Sequence, residues 1–99
     1  MKSYLYKLIP PRPDFAQTMT TAEAEIMRAH VAYWTAMLNE GKAVAFGPVA
    51  DPKGGYGVGI VRVDNDIDPL SLSRNDPAIK AGIGFSSEVY LMPQLVSKV

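Results

Sequence analysis

Ala43-Val44-Ala45-Phe46-Gly47-Pro48-Val49 and Tyr56-Gly57-Val58-Gly59-Ile60-Val61-Arg62-Val63 are two apolar runs of strand length. Asp51-Pro52-Lys53-Gly54-Gly55 separates them. Asp-Pro opens a turn and the glycines let the chain reverse, so the stretch predicts a hairpin with a longer loop. A hairpin in mid-chain, flanked on both sides by helical pattern, marks a split βαβ plan.

Upstream of the hairpin, Thr20 or Thr21 followed by Glu23 and Glu25 reads as a helix start: a hydroxyl cap, then acids in the first turn. The helix should run to about Glu40, where Gly41 supplies a left-handed C-terminal residue. Its apolar stripe is Ile26, Met27, His30, Val31, Trp34, Met37 and Leu38, spaced by threes and fours. Before it, Ser3 to Ile9 alternates as a strand, with Tyr4, Tyr6 and Leu8 on one face and Leu5, Lys7 and Ile9 on the other. Pro10-Pro11-Arg12-Pro13 ends that strand and predicts a stiff extended connection. Downstream, Pro69 opens a short helix to about Arg74. Asp76-Pro77 opens a single turn ending at Gly82, and Ile83 to Met92 is a last strand stopped by Pro93.

The order is β-α-β-β-α-β. This is the ferredoxin-like α+β plan: one domain over residues 1–99, with a four-stranded antiparallel sheet and helices on one of its faces. The strands are apolar on both sides: Val58 and Ile60 oppose Val61 and Val63, and Tyr90 and Met92 oppose Val89 and Leu91. A sheet covered on one side would expose more of this than a monomer tolerates, so a twofold homodimer packed through the sheet faces is expected.

Composition narrows the function. Lys+Arg and Asp+Glu are each 10, so no cationic surplus exists to hold a phosphate backbone, and nucleic acid is not the expected partner. Cysteine is absent, which removes disulfides, thiolate metal sites and a thiol nucleophile. Neither a signal peptide nor a membrane span is legible, and the expected location is cytoplasmic. With a single histidine and no two acids at helical spacing with it, no metal site is expected, and no cofactor motif appears. Gly54-Gly55-Tyr56-Gly57-Val58-Gly59 lies between strands, opens no helix and lacks a lysine, so it is not a phosphate loop. Gly-x-Ser-x-Gly is also missing.

The one group suited to proton transfer near neutrality is His30, placed on the apolar side of the long helix. It is either a core histidine satisfied by a backbone carbonyl or a general base or acid. Asp76 is either an ordinary helix cap before proline or a cap that also orients an imidazole. Gly57 and Gly59 alternate on one strand face, next to Gly47 and Pro48 on the neighbouring strand. Such a strip leaves either a hollow for a pocket floor or room for a crowded helix crossing. Trp34, with Tyr4, Tyr6, Tyr33 and Tyr90, could line an aromatic pocket or simply pack.

Arg28-Ala29-His30-Val31, Leu38-Asn39-Glu40-Gly41-Lys42, Phe46-Gly47-Pro48, Asn75-Asp76-Pro77 and Ala81-Gly82 occur in an order and spacing that resemble the YCII (YciI-like) family, from Tyr4 to Pro93. The resemblance implies a dimeric α+β barrel with a His–Asp pair, His30 and Asp76 by position, in a pocket under the sheet. A relative is linked to dechlorination of hydroxylated aromatic rings. The wider superfamily includes isomerases, cofactor-free monooxygenases and haem proteins. The chain departs from the family pattern at Ala78, at Arg28, and in lacking a small hydroxyl residue across Tyr56–Ile60, but these departures leave the pair intact. The expected function is small-molecule acid–base chemistry by His30 and Asp76 in a pocket lined by Trp34, Gly47, Pro48, Gly57 and Gly59. The alternatives are a non-catalytic ligand-binding or accessory homodimer and, more remotely, haem ligation by His30.

Overall fold

The computed structural model describes residues 1–98. Strands β1 (Lys2–Ile9), β2 (Ala43–Val49), β3 (Tyr56–Val63) and β4 (Ser86–Met92) form one antiparallel sheet in the order β2-β3-β1-β4. Four helices accompany it: α1 (Phe15–Thr18), α2 (Thr21–Asn39), α3 (Pro69–Arg74) and α4 (Pro77–Lys80). This is the expected α+β, ferredoxin-like arrangement. The hairpin forms as its turn chemistry requires, with Phe46 opposite Gly59 and Val49 opposite Tyr56.

Strand alternation decides which face the helices cover. Tyr4, Tyr6 and Leu8 of β1 are buried, and so are Val61 and Val63 of β3. They form one core with Trp34, Met37, Leu72 and Ala78 from the helices. Leu5, Val58 and Ile60 lie in between them along the strands and point the other way.

α2 has both of its expected ends. Thr20 Oγ1 accepts from the Glu23 amide at 3.1 Å while the Thr20 amide donates to Glu23 Oε1 at 2.9 Å, a reciprocal capping box. At the other end Gly41 takes φ +79°. Its N–H donates to the Leu38 carbonyl at 3.1 Å and the Lys42 N–H to that of Met37 at 2.9 Å, which closes the last turn.

Three local expectations need correction. The connection after β1 is not extended. It bends at Pro11 and Arg12 and turns into α1, an element with no periodic signal in so short a run. Arg12 fixes this corner: its guanidinium donates to Thr18 Oγ1 at 2.8 Å and to Glu23 Oε1 and Oε2 at 2.8 and 2.9 Å. Phe15 is buried edge-on against Phe85, with ring centroids 5.0 Å apart. The last strand starts at Ser86 instead of Ile83, because Gly84 sits at φ +104° with its backbone against Pro11. The buried side of α2 is also rotated toward Tyr33. Val31 and Leu38 are 49% and 40% exposed, and Val31 lines an open groove on the outer side of the helix with Met19, Met27 and Ala32. Among the described residues no helix is long and apolar enough to cross a membrane.

Candidate functional site

α2 carries His30 and Trp34 one turn apart toward the sheet, and α4 packs against α2. Asp76 is the N-cap of α4, with Pro77 in the first turn. A capping carboxylate turns back over the first helical amides, and Asp76 Oδ1 accepts from the Ala78 amide at 2.9 Å. The same turn places the carboxylate against α2. His30 Nδ1 lies 2.8 Å from Oδ1 and 3.0 Å from Oδ2. Forty-six positions of chain separate the two residues, and the helical layer brings them together.

Asp76 is fully buried. A buried carboxylate is costly unless its lone pairs are met by donors. Here four groups meet them. Besides His30 and the Ala78 amide, Trp34 Nε1 donates to Oδ2 at 3.0 Å and the Tyr6 hydroxyl to the same oxygen at 3.3 Å. Burial pushes the Tyr6 phenol well above its ordinary range, and the adjacent carboxylate adds to that effect. Tyr6 is therefore a neutral donor over the whole working range of pH. Tyr33 is also raised, by burial first and the Asp76 charge second, and its hydroxyl donates to the Leu72 carbonyl at 3.0 Å. The Ser73 and Ser87 hydroxyls, which meet at 2.5 Å, act the other way on the Tyr6 phenol without cancelling its rise.

A carboxylate can only accept, so in the neutral ring Nδ1 carries the proton that His30 donates to Asp76. Nε2 is then the unprotonated nitrogen. It has no protein partner among the described residues, and it is not sealed from solvent, since no buried side-chain polar atom lacks a hydrogen bond. The ring is held at one nitrogen and available at the other. The chain matches the YCII-related domain over residues 5–93.

It belongs to the YCII-related family. No curated protein matches it.

In this YCII-related chain the other expected site residues are spread over two faces. Trp34 is 1% exposed and stands beside the pair, its ring centroid 6.4 Å from that of His30. Gly59 lies beneath it, and a Cβ there would fall 2.5 Å from Cη2 of the indole. The strip at Gly59 is therefore a crowded crossing and not a hollow: Trp34 fills the space that the missing side chain leaves. At Gly57 a Cβ would touch Leu8 at 3.5 Å, an ordinary contact. Gly47 pairs with Val58 and shares its face, on the side of the sheet away from α2, where a Cβ would meet nothing within 4 Å. Pro48 is exposed. Among the described residues no group of three His, Asp or Glu side chains is placed to hold a metal ion.

The donors Tyr6 and Trp34 were the part of the site that spacing did not reveal. A signal existed: a phenol and an indole on inward-facing positions must each find an acceptor, and a buried aspartate is the acceptor with most capacity.

Proposed function

We propose that this YCII-related protein is a small cofactor-free enzyme. It would carry out proton abstraction, elimination or isomerisation on a small cyclic or aromatic metabolite, with His30 as the general base and Asp76 as the group that orients it. One observation carries the reading: Nδ1 is committed to a buried carboxylate at 2.8 Å while Nε2 is left without a protein partner. An imidazole that was only satisfying its own burial would need no such carboxylate, because a backbone carbonyl would do. Nε2 would take a proton from the substrate. The imidazolium formed would be stabilised by Asp76, and the same nitrogen would return the proton to another atom of the substrate or to a leaving group. Asp76 itself would not act as base or nucleophile, since its lone pairs are occupied by four donors. The working form would be a homodimer, with a second copy covering the sheet face that the helices leave open.

The test is deuterium wash-in. A panel of small cyclic and aromatic hydroxy and keto acids is incubated in D2O with wild type and with His30→Gln, and carbon-bound deuterium is read by NMR. Incorporation by wild type and its loss in His30→Gln is the expected result. Equal incorporation by both proteins, or none by either across the panel, would sink the catalytic reading.

A further inference from the structure

The closed set of donors around Asp76 has a consequence for His30. We propose that Trp34 and Tyr6 are positioning residues: by donating to Oδ2 they fix the carboxylate and spread its charge, and so set how strongly it draws a proton onto the imidazole. This rests on the reading of His30 as a base, and it adds to that reading the residues that tune the base.

The geometry assigns distinct weights. Oδ1 is taken by the Ala78 amide at 2.9 Å and by His30 Nδ1 at 2.8 Å. Oδ2 is taken by Trp34 Nε1 at 3.0 Å and by the Tyr6 hydroxyl at 3.3 Å, and it also lies 3.0 Å from His30 Nδ1. The tryptophan bond lies within the normal N–H···O range, whereas the tyrosine bond is long for O–H···O. Trp34 is the stronger donor of the two. Its indole cannot drift, because it is wedged over Gly59, tilted against Tyr6 at 5.1 Å between centroids and against Phe46 at 5.9 Å. Both donors stay neutral, so they stabilise the carboxylate without adding a charge.

Each donor competes with the imidazolium for the same carboxylate. Remove one, and the negative charge concentrates on the bond to Nδ1, so the charged ring is favoured. The other groups on the elements packed here do not blur this effect. Arg28 of α2 is paired with Glu25 at the surface, and Arg74 at the end of α3 with Asp68 at 3.2 Å. Glu88 of β4 accepts from Tyr90, Lys7 of β1 lies over the Tyr56 ring, and Lys80 of α4 is exposed. Tyr33 is close, but it donates to Leu72, not to Asp76.

The chain has one histidine, so ring-proton NMR of a pH series reports His30 alone. Wild type, Tyr6→Phe, Trp34→Phe and Tyr33→Phe are compared. The titration midpoint should rise in Tyr6→Phe, rise further in Trp34→Phe, and stay at the wild-type value in Tyr33→Phe, which loses a neighbouring hydrogen bond without touching the carboxylate. The Nδ1–H resonance should move downfield in the same order. A purely structural role for Trp34 and Tyr6 would lower stability in all three variants and leave the midpoints together. That result, or a fall in the midpoint, overturns the proposal. Should Trp34→Phe not fold, the comparison of Tyr6→Phe with Tyr33→Phe decides it alone. The readout needs no substrate. Absence of turnover would count against the proposed function and leave this inference standing, while coincident midpoints would do the reverse.

Discussion

Asp76 is asked to do two things by one side chain. It caps α4 through Ala78 and orients His30; both bonds use Oδ1, and Nδ1 also lies 3.0 Å from Oδ2. Asp76→Asn should therefore be costly. It replaces an acceptor with an N–H2 that faces donors, and the expected loss is roughly 1.5–3 kcal/mol in urea unfolding, the worth of a hydrogen bond to a charged group. His30→Ala should cost about 1–3 kcal/mol by the same assay, because it strands part of a buried carboxylate. Gly59→Ala tests the helix crossing. Its methyl group would overlap the Trp34 ring, so overpacking should lower stability by about 1–3 kcal/mol and change the near-ultraviolet signal of the one tryptophan. Unaltered stability in Gly59→Ala would mean that the indole has room to move.

At the scale of elements, the corner between β1 and α2 depends on one ion pair. Arg12 bonds Glu23 in a bidentate fork, and Glu23 also completes the cap of α2. The Arg12 guanidinium, helped by the Thr20 amide, lowers the Glu23 carboxyl from 4.5 to about 2. A carboxyl that is more acidic when folded stabilises the fold at pH above its unfolded value. That contribution fades as pH falls from about 4.5 toward about 2. Glu23→Gln should thus be less stable than wild type at pH 7, and the gap should narrow through that acid window when unfolding is followed by circular dichroism. A gap independent of pH would leave only the capping amide as its cause. Thr20→Ala removes the hydroxyl of the cap and should cost about 1 kcal/mol at pH 7.

The whole molecule has one face covered by helices and one that is not. Leu5, Ile60 and Tyr90 form one cross-strand row on the uncovered face, with Tyr90 half exposed on the edge strand β4, and Val58 lies in the next row opposite Lys7. Lys7, Arg62 and Glu88 are on the same face, one register step or more from Leu5, Ile60 and Tyr90. An apolar centre with charged neighbours suits association with a second copy. Light scattering at micromolar concentration should give about twice the chain mass, and Ile60→Lys should give a monomer that keeps its helical circular dichroism. A monomeric wild type would exclude the sheet-face dimer.

The hairpin, the capped helix and the proline-started turns were legible because each is a local property. Turn residues, a hydroxyl followed by an acid three positions on, and glycine past a helix end act through bonds a few residues long, so β2, β3, α2 and α3 agree with their sequence signals. The kinship carried by the short motifs from Arg28 to Gly82 was also readable in the chain, and it pointed to His30 and Asp76 together. What packing alone decided is who else shares that carboxylate and what Gly59 is for. Tyr6, Trp34 and Asp76 are separated by 28 or more residues, and no periodicity relates them. They meet because α2 crosses the sheet where β3 has no side chain, which drives the indole down until its N–H reaches Oδ2. The course of the chain from Pro10 to Phe15 escaped for the same reason, since a distant acid, Glu23, holds Arg12 and bends a segment that its prolines alone would have left extended.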